Sequence, residues 1–381
     1  MTDSILVLGG GFGGLTVSNE LLREMGSRVQ ITVVDRSEVF SMGLSKLWVL
    51  AGYREADAER NRNLLKRKGI NFVQDEITQI DVENKTVRTG TGNLPYDYLV
   101  LALGAEPMPS LVPGFPEIGF NLYSREDVRR LRDMILQFER GRLVMFIGIP
   151  YKCPPAPYEG VIIMDDMLRK RGVRESVSIE LHTPQPIALP IAGREPSNRI
   201  ASALRERGIE LVLDSEAEKV DASNKTISFK NGEQRSFDLL VGVPPHRPPK
   251  VVIESALRGE TPWIPVDRHT LQTRFANVYA LGDVTGVKLP GGMMLPKAGV
   301  FAELEGLVVA KNIAAKLGGM ESHAEYDGTG YCFAELSPGK AAYMRGEFFA
   351  EPSPSVELDE LSTETFEKKV QFEKERLEKW F

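Results

Sequence analysis

The chain opens on an apolar run, Ser4-Ile5-Leu6-Val7-Leu8, that breaks into glycines and resumes as Leu15-Thr16-Val17-Ser18-Asn19-Glu20-Leu21-Leu22. The first part is short and apolar throughout and predicts a buried strand; the second repeats its apolar positions at helical spacing. The same alternation recurs. VQITVVD, YDYLVLALGAEP (96–107), RLVMFIG, SVSIELHTP and FANVYALGDVTG (275–286) read as buried strands. EGVIIMDDMLRKRGV and VFAELEGLVVAKNIAAKL read as helices, the latter stopped by Gly318-Gly319. Residues 328–349 alternate with period two around a Ser-Pro-Gly turn, predicting a small antiparallel unit. The end of the chain, FEKKVQFEKERLEKWF, sets Phe366, Val370, Leu377 and Phe381 at helical spacing, with Trp380 beside them.

Composition narrows the classes. At 381 residues the chain has room for two or three cores. A net charge of -6 argues against nucleic acid as a partner. No run is apolar for long enough to span a bilayer, and the chain starts directly on a strand, so the expectation is a cytoplasmic protein. Two cysteines make no structural disulfide framework. His182, His246, His269 and His323 show no metal spacing, and no metal is expected.

Gly9, Gly11 and Gly14 form G-x-G-x-x-G between the first strand and the first helix. The first glycine permits the tight turn, the second lets a pyrophosphate approach the backbone, and the third lets helix and strand pack closely. The helix N-terminus adds free N–H groups. Asp35 closes the second strand about 20 residues later, where a carboxylate bonds ribose hydroxyls. A dinucleotide is therefore expected; a glycine turn without a ligand is the plainer alternative. Strands alternating with helices predict an α/β fold, and the stretch 112–250 repeats the organisation of the first.

With the glycine turn, the Leu103-Gly104-Ala105 strand end and the Ala280-Leu281-Gly282-Asp283 strand end in this order, nearly the whole chain resembles the flavoproteins with two dinucleotide-binding folds. These include the pyridine-nucleotide disulfide reductases, type II NADH dehydrogenases and sulfide:quinone oxidoreductases. The resemblance implies two Rossmann-like domains, the first split in sequence, and a small C-terminal α+β unit. The boundaries are 1–111 and 251–318 for the FAD domain, 112–250 for the second domain and 319–381 for the C-terminal unit. It implies FAD, with Asp283 on the ribityl chain and Lys297, at the start of the helix after Leu295-Pro296, beside the flavin. Phe12, Gly13, Arg36, Ser45, Ala102, Gly104 and Gly282 complete the implied cofactor residues. A strand-end carboxylate and a solvated lysine are the plain alternatives for Asp283 and Lys297.

The second domain departs from its NADH-using relatives. Its turn reads Gly148-Ile149-Pro150-Tyr151-Lys152-Cys153-Pro154-Pro155-Ala156-Pro157-Tyr158-Glu159-Gly160. Proline has no N–H for a phosphate and its ring blocks close approach, so poor NADH binding is expected. KCPPAPYEG around Cys153 and GYC at Cys332 resemble the flavoprotein of flavocytochrome c sulfide dehydrogenase, whose sister group is the sulfide:quinone oxidoreductases. The resemblance implies oxidation of sulfide or a small sulfur species by a cysteine pair. Cys332 is expected to carry the persulfide and Cys153 to face the flavin, though the reverse remains open, and so does Cys332 as a small buried hydrophobe. Lys152 is expected to lower the Cys153 pKa. Glu159 is either a general base or a helix N-terminal carboxylate. Met42 stands where relatives attach FAD through a cysteine, implying non-covalent FAD, and Tyr123 stands where quinone-reducing relatives carry a third cysteine. Quinone is the first acceptor considered. A cytochrome c, NADH:quinone chemistry and a non-catalytic redox sensor are the alternatives. A homodimer is left open, as is whether the C-terminal helix meets a membrane or the protein's own core.

Overall fold

A computed structural model describes residues 2–321 and 324–381; His323 lies outside the described residues. Two parallel five-stranded sheets organise the chain. The first runs, edge to edge, Val278–Ala280, Tyr98–Leu101, Asp3–Leu8, Val29–Asp35 and Asn71–Gln74. Its edge strand thus comes from far beyond the second sheet in sequence. The second runs Phe120–Asn121, Leu239–Val243, Gly141–Ile147, Val177–His182 and Ile209–Val212. In each sheet a three-stranded antiparallel meander, 77–95 and 217–236, is inserted in sequence just ahead of a returning strand, Tyr98–Leu101 and Leu239–Val243. The repeat read from the pattern is therefore a repeat of architecture.

Parallel strands need cover on both faces, which is why their sequences are apolar without alternation. Val7, Val33, Val100 and Tyr279 pack beneath helix α1 (Phe12–Met25) in one core, while Leu6, Leu8, Leu99 and Leu101 face another on the opposite side. The short helix α2 (Ser45–Leu50) and helix α3 (Ala156–Lys170) share the core of the second sheet. Helix α4 (Gly299–Leu317) lies against α1 and ends at Gly318, with Gly319 at φ 68°. The C-terminal unit is the antiparallel sheet Thr329–Ser337, Lys340–Glu347, Ser355–Leu358, followed by helix α5 (Thr363–Trp380). Ser362 caps α5 by accepting from the Thr365 N–H.

Helix α5 docks on the protein itself. Its buried residues are Thr365, Lys369, Phe372, Glu373, Leu377 and Trp380, whereas Val370 is 38% exposed. Trp380 is wholly buried, with ring centroids 5.0 Å from Phe12 and 5.7 Å from Phe40. No described helix is long and apolar enough to cross a membrane.

Candidate functional site

A cleft of about 830 Å³ runs from the first glycine turn, past the N-terminus of α4, to both cysteines. Its first end is a cradle shaped by missing side chains. A Cβ on Gly9, at φ 98°, would lie 2.3 Å from the Ala102 carbonyl oxygen, and one on Gly14 would lie 1.9 Å from that of Gly9. These two glycines are required by packing. A Cβ on Gly11 would meet nothing within 4 Å and would project into open space at the N-cap of α1. That is the position where a phosphate needs to approach the backbone. Asp35 Oδ2 accepts from the Gly10 N–H at 2.8 Å and Oδ1 from that of Ser37 at 2.9 Å, leaving lone pairs for a ribose. Arg62, buried beneath the turn, donates to the carbonyls of Gly10, Ser37 and Val39.

Gly282 and Asp283 begin a tight turn after the edge strand Val278–Ala280 and line the same cleft, with Ala298, Gly299 and Val300 at the start of α4. Gly282 N–H donates to Glu305 Oε2 at 2.6 Å; burial pushes the Glu305 carboxyl up to about 7. The residues present fit a dinucleotide carrying a flavin: a glycine cradle for the pyrophosphate, Asp35 for the ribose, Asp283 for the ribityl chain and a helix N-terminus at the far end.

At the far end, Cys153 and Cys332 face one another as free thiols. Cys153 sits at φ 53°, a conformation uncommon for a residue with a Cβ. Its N–H donates to the Lys297 carbonyl at 2.6 Å, and the Tyr123 hydroxyl donates to the carbonyls of Lys152 and Cys153. Cys332 lies on the Thr329–Ser337 strand, paired with Met344. Hydrogen bonding between the thiols and burial push Cys153 up, while the same hydrogen bond holds Cys332 below its ordinary value.

Beside the thiols is a buried ionic cluster. Lys369, from α5, donates to Glu159 Oε1 and Oε2 at 3.1 and 3.2 Å and to Glu335 Oε2 at 3.3 Å. Glu159 Oε1 also accepts from the Glu335 N–H at 2.7 Å, and the Trp48 indole donates to Glu335 Oε2 at 3.0 Å. All three charged residues are at most 3% exposed. Burial raises the Glu335 carboxyl, and Lys369, despite burial, is raised by the two carboxylates.

Most of the residues singled out from the sequence converge here. Gly9, Gly11, Phe12, Gly13, Asp35, Arg36, Ala102, Gly104, Gly282, Asp283, Cys153, Glu159 and Cys332 all line the cleft. Gly14 sits behind the cradle. Ser45 and Lys297 do not reach the cleft. Ser45 is buried, its hydroxyl bonded to the Met42 carbonyl at 2.6 Å and the Ala58 N–H at 3.1 Å. Lys297 turns inward: its ammonium donates to the carbonyls of Asp283 and Thr285 and lies 3.5 Å from the Trp263 ring centroid, so it braces the turn. Lys152 also departs from expectation. Its ammonium donates to the Ala105 carbonyl at 3.2 Å, and Cys153 is not lowered. Sequence reading missed Arg62, the Tyr123 clamp and Lys369. In Lys369 the available signal was a lysine inside the stripe 365, 369, 372.

The proline turn of the second sheet is filled by its own chain. The N–H groups of Tyr158 and Glu159 both donate to the Pro155 carbonyl. The Tyr158 hydroxyl donates to Ala188, whose loop buries Leu189 and Ala192. These first-turn donors are thus not presented to a phosphate.

A family model described as pyridine nucleotide-disulphide oxidoreductase matches residues 3–153 and 155–302. The mitochondrial sulfide:quinone oxidoreductase of Dictyostelium discoideum is 27% identical over 93% of this chain and 80% of its own length. That of Mus musculus is 28% identical over 74% of this chain and 66% of its own. The solved sulfide:quinone oxidoreductase of Aquifex aeolicus shares the fold with a TM-score of 0.89 at 22% identity, covering 99% of this chain and 91% of that one. The chain belongs to the pyridine nucleotide-disulphide oxidoreductase family and is an oxidoreductase.

Proposed function

We propose that this member of the pyridine nucleotide-disulphide oxidoreductase family oxidises sulfide, or another small sulfur species, through Cys153 and Cys332, with quinone as the final acceptor. The observation that carries the reading is that two cysteines from distant segments face each other on the wall of a cleft whose other end is a dinucleotide cradle. The names of the relatives point the same way. FAD is held without a covalent link: Met42 is wholly buried, and the chain has no cysteine besides the facing pair.

Hydrosulfide attacks one sulfur of the Cys153–Cys332 disulfide. A new S–S bond forms there, the disulfide breaks, the other cysteine leaves as thiolate and the hydrosulfide proton is released. A second nucleophile then takes the sulfane sulfur from the persulfide. The two thiolates re-form the disulfide by giving up an electron pair. When bound, FAD supplies the two-electron relay from this pair to quinone. The thiol of lower pKa is the better leaving group. The lowering of Cys332 comes from the Cys153 thiol donating to it, a bond that neither the disulfide nor a Cys153 persulfide has, so it does not choose between the two sulfurs. Glu159, already held by Lys369 and the Glu335 N–H, acts here as a charge beside the thiols and not as a free base.

The test is an anaerobic titration of the FAD-loaded protein. Sulfide is expected to bleach the flavin absorbance in the wild type and in neither Cys153→Ser nor Cys332→Ser, and NADH is expected to leave it unchanged. Full bleaching by NADH with none by sulfide would sink the reading and make the protein an NADH oxidant.

A further inference from the structure

Among the described residues, two ammonium groups on the cleft wall make no ion pair. Lys46, on α2, and Lys152, next to Cys153, both line the cleft and both are half-buried. Among the described residues Lys46 makes no side-chain hydrogen bond or ion pair, and Lys152 has the neutral Ala105 carbonyl at 3.2 Å. The carboxylates nearby are already taken. Asp57 is bonded to Arg125 at 2.7 Å and to Ser41 at 3.3 Å, Glu59 pairs with Arg125, Glu106 pairs with Arg36 at 2.6 Å, and Glu159 is held by Lys369. The charged and titratable groups facing Lys46 are Lys152, Asp57, Arg125 and Cys153, so cations outnumber carboxylates around it.

Half-buried cations without a partner are costly, and a bound anion offsets the cost. We propose that Lys46 and Lys152 form an anion subsite beside Cys153 that takes an anionic sulfur nucleophile, hydrosulfide or sulfite. The ligand's identity rests on the function proposed above; the subsite itself rests on the uncompensated charge. Leu44, Leu47 and Leu122 line the same cleft and suit a small, weakly hydrated anion. Burial, with repulsion from Lys152, brings the Lys46 pKa down to about 8. Lys46 therefore loses its charge as pH rises through about 8.

The test uses FAD-loaded, reduced protein in a Cys332→Ser background, where Cys153 is the remaining thiol. Its alkylation by anionic iodoacetate and neutral iodoacetamide is followed by whole-protein mass. The iodoacetate-to-iodoacetamide rate ratio is expected to fall about five- to tenfold in Lys46→Met at pH 7. It should be restored in Lys46→Arg. It should decline above pH 8 in the parent but not in the arginine variant. An unchanged ratio in Lys46→Met overturns the subsite. So does loss of FAD from that variant with the ratio unchanged, which would assign Lys46 to the cofactor. This readout needs no sulfide turnover, so it survives failure of the proposed function. In the two-cysteine enzyme, Lys46→Met should raise KM with kcat retained. A rise for sulfide identifies hydrosulfide as the anion bound, and a rise for sulfite identifies the sulfur acceptor.

Discussion

Replacing Lys369 by methionine tests the ionic cluster that ties the C-terminal helix to the thiol end of the cleft. The substitution keeps the side-chain length and removes three hydrogen bonds, at 3.1, 3.2 and 3.3 Å, and the cation shared by Glu159 and Glu335. Those carboxylates are 3% and 1% exposed, so water cannot replace the ammonium. Removing one partner of such a buried pair costs about 3–5 kcal/mol. The strained state relaxes by taking up protons. A carboxyl whose folded pKa rises above its unfolded value of about 4.3 binds more protons folded than unfolded between the two, so stability falls as pH rises through that window. The slope is about 1.4 kcal/mol per pH unit for each carboxyl. The deficit of Lys369→Met against the wild type should therefore be largest near pH 8 and shrink by about 2–3 kcal/mol at pH 5.5. Urea unfolding followed by tryptophan emission reads this, because Trp48 and Trp380 both contact the cluster or α5. Adding Glu335→Gln should recover about half the loss at pH 8. A deficit below about 1 kcal/mol at pH 8, or one independent of pH, would refute the reasoning.

Gly11→Val should leave the apo protein within about 0.5 kcal/mol of the wild type, because its Cβ meets nothing, yet abolish FAD binding in a fluorescence titration. Gly14→Ala, with its Cβ 1.9 Å from a carbonyl, should instead lower apo stability; equal FAD affinities for Gly11→Val and wild type would falsify the cradle assignment. Tyr123→Phe removes the hydroxyl that holds the Lys152 and Cys153 carbonyls, with a stability cost of about 1 kcal/mol. Because Cys153 sits at positive φ, the same change should slow sulfide-driven flavin bleaching in stopped flow, and an unaltered rate would show that the clamp does not set the thiol's position.

What the sequence revealed was local. The glycine turn, the parallel strands and the Cys-Pro-Pro turn each carry their reason within a few residues: a missing Cβ, a run buried on both faces, a missing N–H. The cluster around Lys369 has no such signature. It takes Trp48 from α2, Glu159 from α3, Glu335 from the C-terminal sheet and Lys369 from α5, and nothing in any one segment announces the others. Helix α5 shows the same limit within one element. The apolar stripe read along 366, 370, 377 and 381 shares Leu377 with the buried face at 365, 369, 372, 373, 377 and 380 and otherwise sits about one residue off it. A buried lysine looks polar to periodicity, and its partners decide that it goes inside. Lys297 shows the same dependence on distant partners. Its place after Pro296 pointed to the flavin, but two backbone carbonyls and the Trp263 ring, none adjacent in sequence, draw it inward.

Helix α5 also explains why the two ends of the cleft belong to one site. Trp380 packs on Phe12 at the start of α1, and Phe40 packs on both Trp380 and Phe381. Two to three turns earlier, Phe372 and Lys369 line the cleft on the thiol side. At 1.5 Å per residue, the stretch from 369 to 380 spans about 16 Å. A single rigid element thus touches the helix that opens the cradle and the charge that neighbours both cysteines. Loosening α5 at either end acts on both functions, whereas a change confined to Lys46 or Lys152 acts only where the anion enters. The thiol end is consequently divided by charge. Lys369 is matched by carboxylates and belongs to the fold, while Lys46 and Lys152 are unmatched and are left for a ligand.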